Sequence, residues 1–209
     1  MSGLRGRGVS LLRRLEASSD PAPLVDALLA AWSAPARVYH GRRHLEDCLA
    51  RLDDVAASVP ERDLVEAALW FHDAIYDPHA ADNEERSARW AADALDAVGA
   101  PPGVAAEVAR LVLLTRHETP PDDCAGRYVC DIDLSILGRP DAEFDEYERR
   151  IREEYAWVPA SEFRAGRRRI LESLLARHPL FRTDAFRRRY EEAGRANLRR
   201  ALDRLERVT

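Results

Sequence analysis

Residues 61–77, ERDLVEAALWFHDAIYD, repeat apolar side chains at helical period: Leu64, Val65, Ala68, Leu69, Phe71, Ile75 and Tyr76 define one face. At about 100° of rotation per residue, His72 falls near the centre of that face and Asp73 at its flank. An imidazole and a carboxylate are expensive to bury singly, so their place on a core-facing stripe calls for a shared partner. The same rotation finds others. In the preceding helix Leu45, Cys48, Leu52 and Val55 form the stripe, with His44 at its edge in the first turn. In 129–137, Val129, Ile132 and Ile136 cluster on one side together with Asp133, while Asp131 falls nearly opposite and is expected to cap or solvate the start of a short helix. Taken alone, each is more readily a hydrogen-bonded core histidine or a helix cap. Taken together, two imidazoles and two carboxylates facing inward are satisfied by a single divalent cation.

The remaining sequence is helical throughout. Periodicity and Pro/Gly breaks predict helices at 22–33, 43–58, 61–77, 83–98, 102–116, 130–137, 141–156, 160–176 and 184–207. Pro35, Pro60, Gly99 to Pro102, Pro120-Pro121, Gly138 to Pro140, Pro159 and Pro179 punctuate them. The expected class is all-α. With 209 residues and no evident linker, one domain spanning 1–209 is expected.

Composition narrows the function. A net charge of -5 provides no global positive field for nucleic acid. The arginines of the last helix, including Arg187 to Arg189, Arg195, Arg199, Arg200 and Arg204, are interleaved with Glu191, Glu192, Asp203 and Glu206, which can pair with them across one turn. No apolar stretch is long enough for a membrane span, and MSGLRGRGVSLLRRL has no apolar run after its charges, so a cytoplasmic protein without a signal peptide is expected. Cys48, Cys124 and Cys130 are odd in number and lack CxxC spacing, and are read as reduced bystanders.

His44, His72-Asp73 and Asp133, in that order on a helical frame, resemble the HD superfamily of metal-dependent phosphohydrolases. The likeness extends to bacterial predicted HD phosphohydrolases through VYHGRRHL, ALWFHDAIYDP, DNEERSA, LTRHE, DIDLSILG and EYAWVP, and covers roughly residues 30 to 200. It implies a compact HD-domain helical bundle and one divalent transition metal (Mn, Fe, Co, Ni or Zn) on His44, His72, Asp73 and Asp133. The implied chemistry is hydrolysis of a small phosphorylated substrate, nucleotides among the candidates, by metal-activated water. A homo-oligomer is compatible with this reading. Dinuclear relatives, including the di-iron oxygenases, carry two further histidines; here His117 can be one, but Asn83 or Glu84 stands at the other place, which disfavours a second metal. The guanosine-tetraphosphate hydrolases place an acidic pair after the HD motif, where this chain reads Ala74-Ile75-Tyr76-Asp77. Two alternatives stay open: an oxygenase on the same scaffold, and a metal- and nucleotide-binding protein without turnover.

Further residues gain candidate roles from their positions. Asp77, one helical turn beyond Asp73, is a candidate to position water or donate a proton, or else ends the helix before Pro78. Glu84 is the first choice for general base, against the plainer reading that it favours the positive end of a helix dipole. His117 is a candidate to protonate a leaving alkoxide or bind phosphate. Among Arg37, Arg42, Arg43 and Arg116, all near site residues in sequence, Arg43 is the first choice to grip phosphate, with Arg116 beside it as a substrate-binding candidate. The Tyr39 phenol can order the ligand shell from outside.

Overall fold

The computed structural model describes residues 2–207, and every regular element among them is helical. Residues 1, 208 and 209, part of the single domain expected over 1–209, lie outside the described residues. The α-helices are α1 (Ser2–Arg14), α2 (Ala22–Trp32), α3 (Arg42–Asp54), α4 (Arg62–Phe71), α5 (Asn83–Ala97), α6 (Val104–Leu113), α7 (Cys124–Asp133), α8 (Asp141–Glu154), α9 (Ala160–Leu175) and α10 (Asp184–Arg207). Short 3-10 segments follow α3, α6 and α7. None of these helices is long and apolar enough to cross a membrane. The chain forms two units, one running to Asp133 and the other beginning at Leu134.

The first unit is organised around α4. Every residue from Val65 to Phe71 is buried, as suits a helix apolar on nearly all sides, and α1, α3, α5, α6 and α7 pack around it. The helix ends at Phe71, six residues before the predicted limit. Side chains from elsewhere take the backbone groups that would have continued it. Arg37 donates to the carbonyls of Asp73 at 2.5 Å and Ala74 at 2.8 Å. The Ser87 hydroxyl bonds both the amide and the carbonyl of Ile75, and the Asn83 amide does the same for Asp77. Pro78 then disfavours a helical Asp77.

Helix α1 is absent from the sequence-based expectation, because its glycines lower helix propensity. Its partners are distant in the chain. Leu11 and Leu12 are buried, and a Cβ on Gly8 would lie 2.9 Å from Val25 Cγ1 and 3.2 Å from a Trp70 ring carbon, so the glycine permits a close helix approach. Arg7 pairs with Glu66 and with Asp53, each at 2.6 Å, and Arg14 with Asp63 at 2.9 Å and Glu66 at 3.2 Å. Helix α7 also starts earlier than predicted, at Cys124, since the Asp123 carboxylate accepts the Gly126 N–H at 2.7 Å and satisfies an otherwise unpaired donor of the first turn. Asp131 therefore sits mid-helix and is 1% exposed, not a solvated residue at a helix start.

In the second unit α10 packs on α9 and on the 3-10 segment Leu134–Gly138. Phe186, Tyr190, Leu198 and Ala201 supply its buried face. Asn197 donates to the carbonyls of Leu137 and Arg139, both at 2.8 Å. Several arginines of α10 are paired: Arg195 with Glu191 across one turn at 2.7 Å, and Arg200 and Arg204 with Asp145 of α8 at 2.9 and 2.7 Å.

Candidate metal centre

The first turn of α3 carries His44, the end of α4 leads into His72 and Asp73, and α7 ends on Asp133. The Nε2 atoms of His44 and His72 are 3.0 Å apart. Asp133 Oδ1 lies 3.1 Å from His44 Nε2 and 3.6 Å from His72 Nε2; Asp73 Oδ2 lies 3.3 Å from His72 Nε2 and 3.8 Å from His44 Nε2. Donors bound at about 2.1 Å to one ion stand roughly 3.0 to 3.5 Å apart in octahedral or tetrahedral arrangements. Three of the five separations fall in that range, and the other two, at 3.6 and 3.8 Å, lie just above it. His44, Cys48, His72 and Asp133 together present ligand atoms within 4.8 Å of one another, a group able to hold a metal ion. Cys48 enters this group against its reading as a bystander; its spacing of four from His44, on one face of α3, is the signal that places it there.

The histidines are held from behind. His72 Nδ1 lies 2.9 Å from the Leu69 carbonyl, a partner that takes the proton-bearing nitrogen and leaves the Nε2 lone pair to face the cluster. Trp32, fully buried, is anchored by its Nε1 to the Trp70 carbonyl at 2.9 Å, and its ring packs 5.4 Å from His72 and 6.3 Å from His44. The Tyr39 ring packs 5.1 Å from that of His44.

The charges are strongly coupled. Burial works against a proton on His72, yet Asp73 and Asp133 outweigh it and raise the group to about 9. Burial would lift Asp133, but hydrogen bonds from His117, His44 and His72 hold it well below the usual carboxylate range. Burial and the neighbouring Asp133 and Asp73 push the Cys48 thiol up. A metal ion held by these donors would have to displace the His72 proton, because it needs a bare Nε2. Below pH about 9 affinity should therefore weaken as the solution is acidified, by up to about tenfold per pH unit for one displaced proton. Chelator competition at several pH values between 6.5 and 8.5 checks this; a flat profile contradicts it.

The other candidates divide between the cluster and the surface. His117, with a left-handed φ of 57° after the 3-10 turn that follows α6, contacts Asp133 Oδ2 through Nε2 at 2.8 Å. Glu84 opens α5 half-buried, and burial together with the charges of Asp73 and Asp133 raises its carboxyl. Asp77 is exposed, no longer one helical turn beyond Asp73, and accepts the His79 N–H at 2.9 Å in a local turn. Arg43 is exposed on α3. Arg116 pairs with Glu85 and with Glu118, the latter at 2.8 Å. Asn83 is occupied by the Asp77 backbone. Neither family models nor curated proteins nor solved structures match this chain.

Proposed function

We propose that the chain is a metal-dependent phosphohydrolase that cleaves a phosphoester of a small molecule, with one divalent transition ion on His44, His72, Asp73 and Asp133. The observation that carries this reading is the meeting of donors from α3, α7 and the turn after α4: the His44 and His72 Nε2 atoms are 3.0 Å apart, and Asp73 and Asp133 each place a carboxylate oxygen 3.1 to 3.8 Å from both. Asp73 is preferred to Cys48 as fourth ligand on geometry. Cys48 Sγ is 3.8 and 3.9 Å from the two ring nitrogens of His44, so it lies beside the ring and not along the Nε2 lone pair. Two imidazoles with two carboxylates suit Mn, Fe, Co, Ni or Zn.

A bound ion of this kind supplies Lewis acidity towards a phosphoryl oxygen and lowers the pKa of water. Around it, His117 holds Asp133 through one carboxylate oxygen while the other faces the histidines, which favours a supporting role for His117 over that of leaving-group acid. Glu84, its carboxyl raised by burial and by the charges of Asp73 and Asp133, is the group best suited to exchange a proton with substrate or water. Arg116 acts electrostatically on Glu84 and is the favoured phosphate grip, ahead of Arg43.

One group of three or more ligand-capable side chains occurs among the described residues, His44, Cys48, His72 and Asp133; Asn83, at one of the places where dinuclear relatives carry a further histidine, is bonded to the Asp77 backbone, which favours a single ion over the dinuclear oxygenase. Metal analysis of the purified protein, followed by a phosphoester panel with Mn, Co, Ni and Zn supplied separately, tests the reading. Expected is about one ion per chain and metal-dependent phosphate release. Two ions with oxygen consumption would favour the oxygenase, and nucleotide binding without phosphate release would favour a sensor.

A further inference from the structure

The ligands come from separate segments: His44 follows the loop after α2, and His72 and Asp73 follow α4. Arg37 spans the two. One Nη donates to the His40 carbonyl at 2.9 Å and to the Asp73 carbonyl at 2.5 Å, and the other to the Ala74 carbonyl at 2.8 Å. The guanidinium is half-buried between two aromatic rings, 5.4 Å from the centroid of Trp32 and 5.7 Å from that of Tyr76. Trp32 is the same ring that backs both histidines, and Tyr76 stacks on His40 with centroids 4.4 Å apart.

We infer that Arg37 is a positioning residue of the metal centre: by clamping the His40, Asp73 and Ala74 carbonyls it holds the His44 segment and the His72-Asp73 turn in the register that lets their side chains converge. This rests on the reading of the centre as a metal site. The chemistry explains why the residue is arginine. The turn after α4 leaves carbonyls that the helix cannot satisfy, and a planar fork with several fixed N–H donors reaches carbonyls of two segments at once while its faces stack on aromatic rings. A lysine ammonium keeps the charge but has neither the plane nor the reach. Through these bonds Arg37 acts on the backbone of Asp73.

Cobalt(II) binding to the full chain tests this, with affinity read by chelator competition and coordination by the visible ligand-field absorption. Arg37→Lys and Arg37→Met are expected to bind cobalt(II) about 10- to 100-fold more weakly, the range typical of outer-shell partners of metal ligands. Their ligand-field bands at saturating cobalt(II) should differ from those of the unmodified protein, a change that a general loss of stability does not produce. Methylguanidinium added to Arg37→Ala should recover at least about tenfold of the lost affinity by refilling the clamp. Should Arg37→Met fail to fold, Arg37→Lys decides. Affinities within about twofold of the unmodified protein together with unchanged bands would overturn the positioning role. Failure of the unmodified protein to take up cobalt(II) would instead overturn the metal reading, and this inference with it.

Discussion

His72→Ala should abolish metal binding while leaving a helical protein. His72 is 1% exposed, and its Nε2 is within 3.6 Å of His44 Nε2, Asp73 Oδ2 and Asp133 Oδ1. Removing it deletes one donor and leaves Asp73 and Asp133 facing His44 alone across the gap. Outer-shell substitutions typically cost 10- to 100-fold in metal affinity, so loss of a direct ligand should cost at least about 10³-fold, and phosphate release should fall with it. Metal content after gel filtration and the circular dichroism spectrum provide the two readouts. Full metal content with an intact helical spectrum would remove His72 from the ligand set and leave the proposed chemistry without its centre.

Glu66→Ala should cause the largest loss of stability away from the site. The Glu66 side chain is 1% exposed and lies 2.6 Å from Arg7 and 3.2 Å from Arg14, which fasten α1 to α4. Breaking a buried ion pair by removing one partner costs about 3 to 5 kcal/mol. The lower end, about 3 kcal/mol, applies here because Arg14 is 41% exposed and can turn to water, and Arg7 keeps Asp53. Replacing Arg7 and Glu66 together with apolar residues should recover part of that loss, since it removes both buried partners of the pair at once. Urea unfolding of the full chain measures both; a change below about 0.5 kcal/mol for Glu66→Ala would show that α1 is not held by this network.

The helical class was legible because apolar period is a local property. From Leu64 to Phe71 the repeat states that a helix forms and which face is buried, and the same holds for α10, whose predicted and observed limits agree. His44, His72, Asp73 and Asp133 were legible for the same reason: each is a polar residue out of place on an apolar stripe. Helix ends were less so. The stop of α4 at Phe71 depends on Arg37, Asn83 and Ser87, whose distances along the chain from the turn they bind leave no mark in its periodicity. Helix α1 was not legible because its partners, Asp53, Asp63 and Glu66 among them, are distant in the chain, and its own glycines argue against it.

What the sequence determined alone was therefore an all-helical chain with inward-facing histidines and aspartates, because rotation per residue converts spacing directly into direction. Tertiary structure decided the rest: that Asp77 turns to His79 while Asp133 bridges towards His117, that Asp131 is buried, and that Cys48 lies beside the His44 ring. Those outcomes follow from which unsatisfied carbonyl or carboxylate lies within about 3 Å of a donor from another helix, a condition set by packing and not by periodicity.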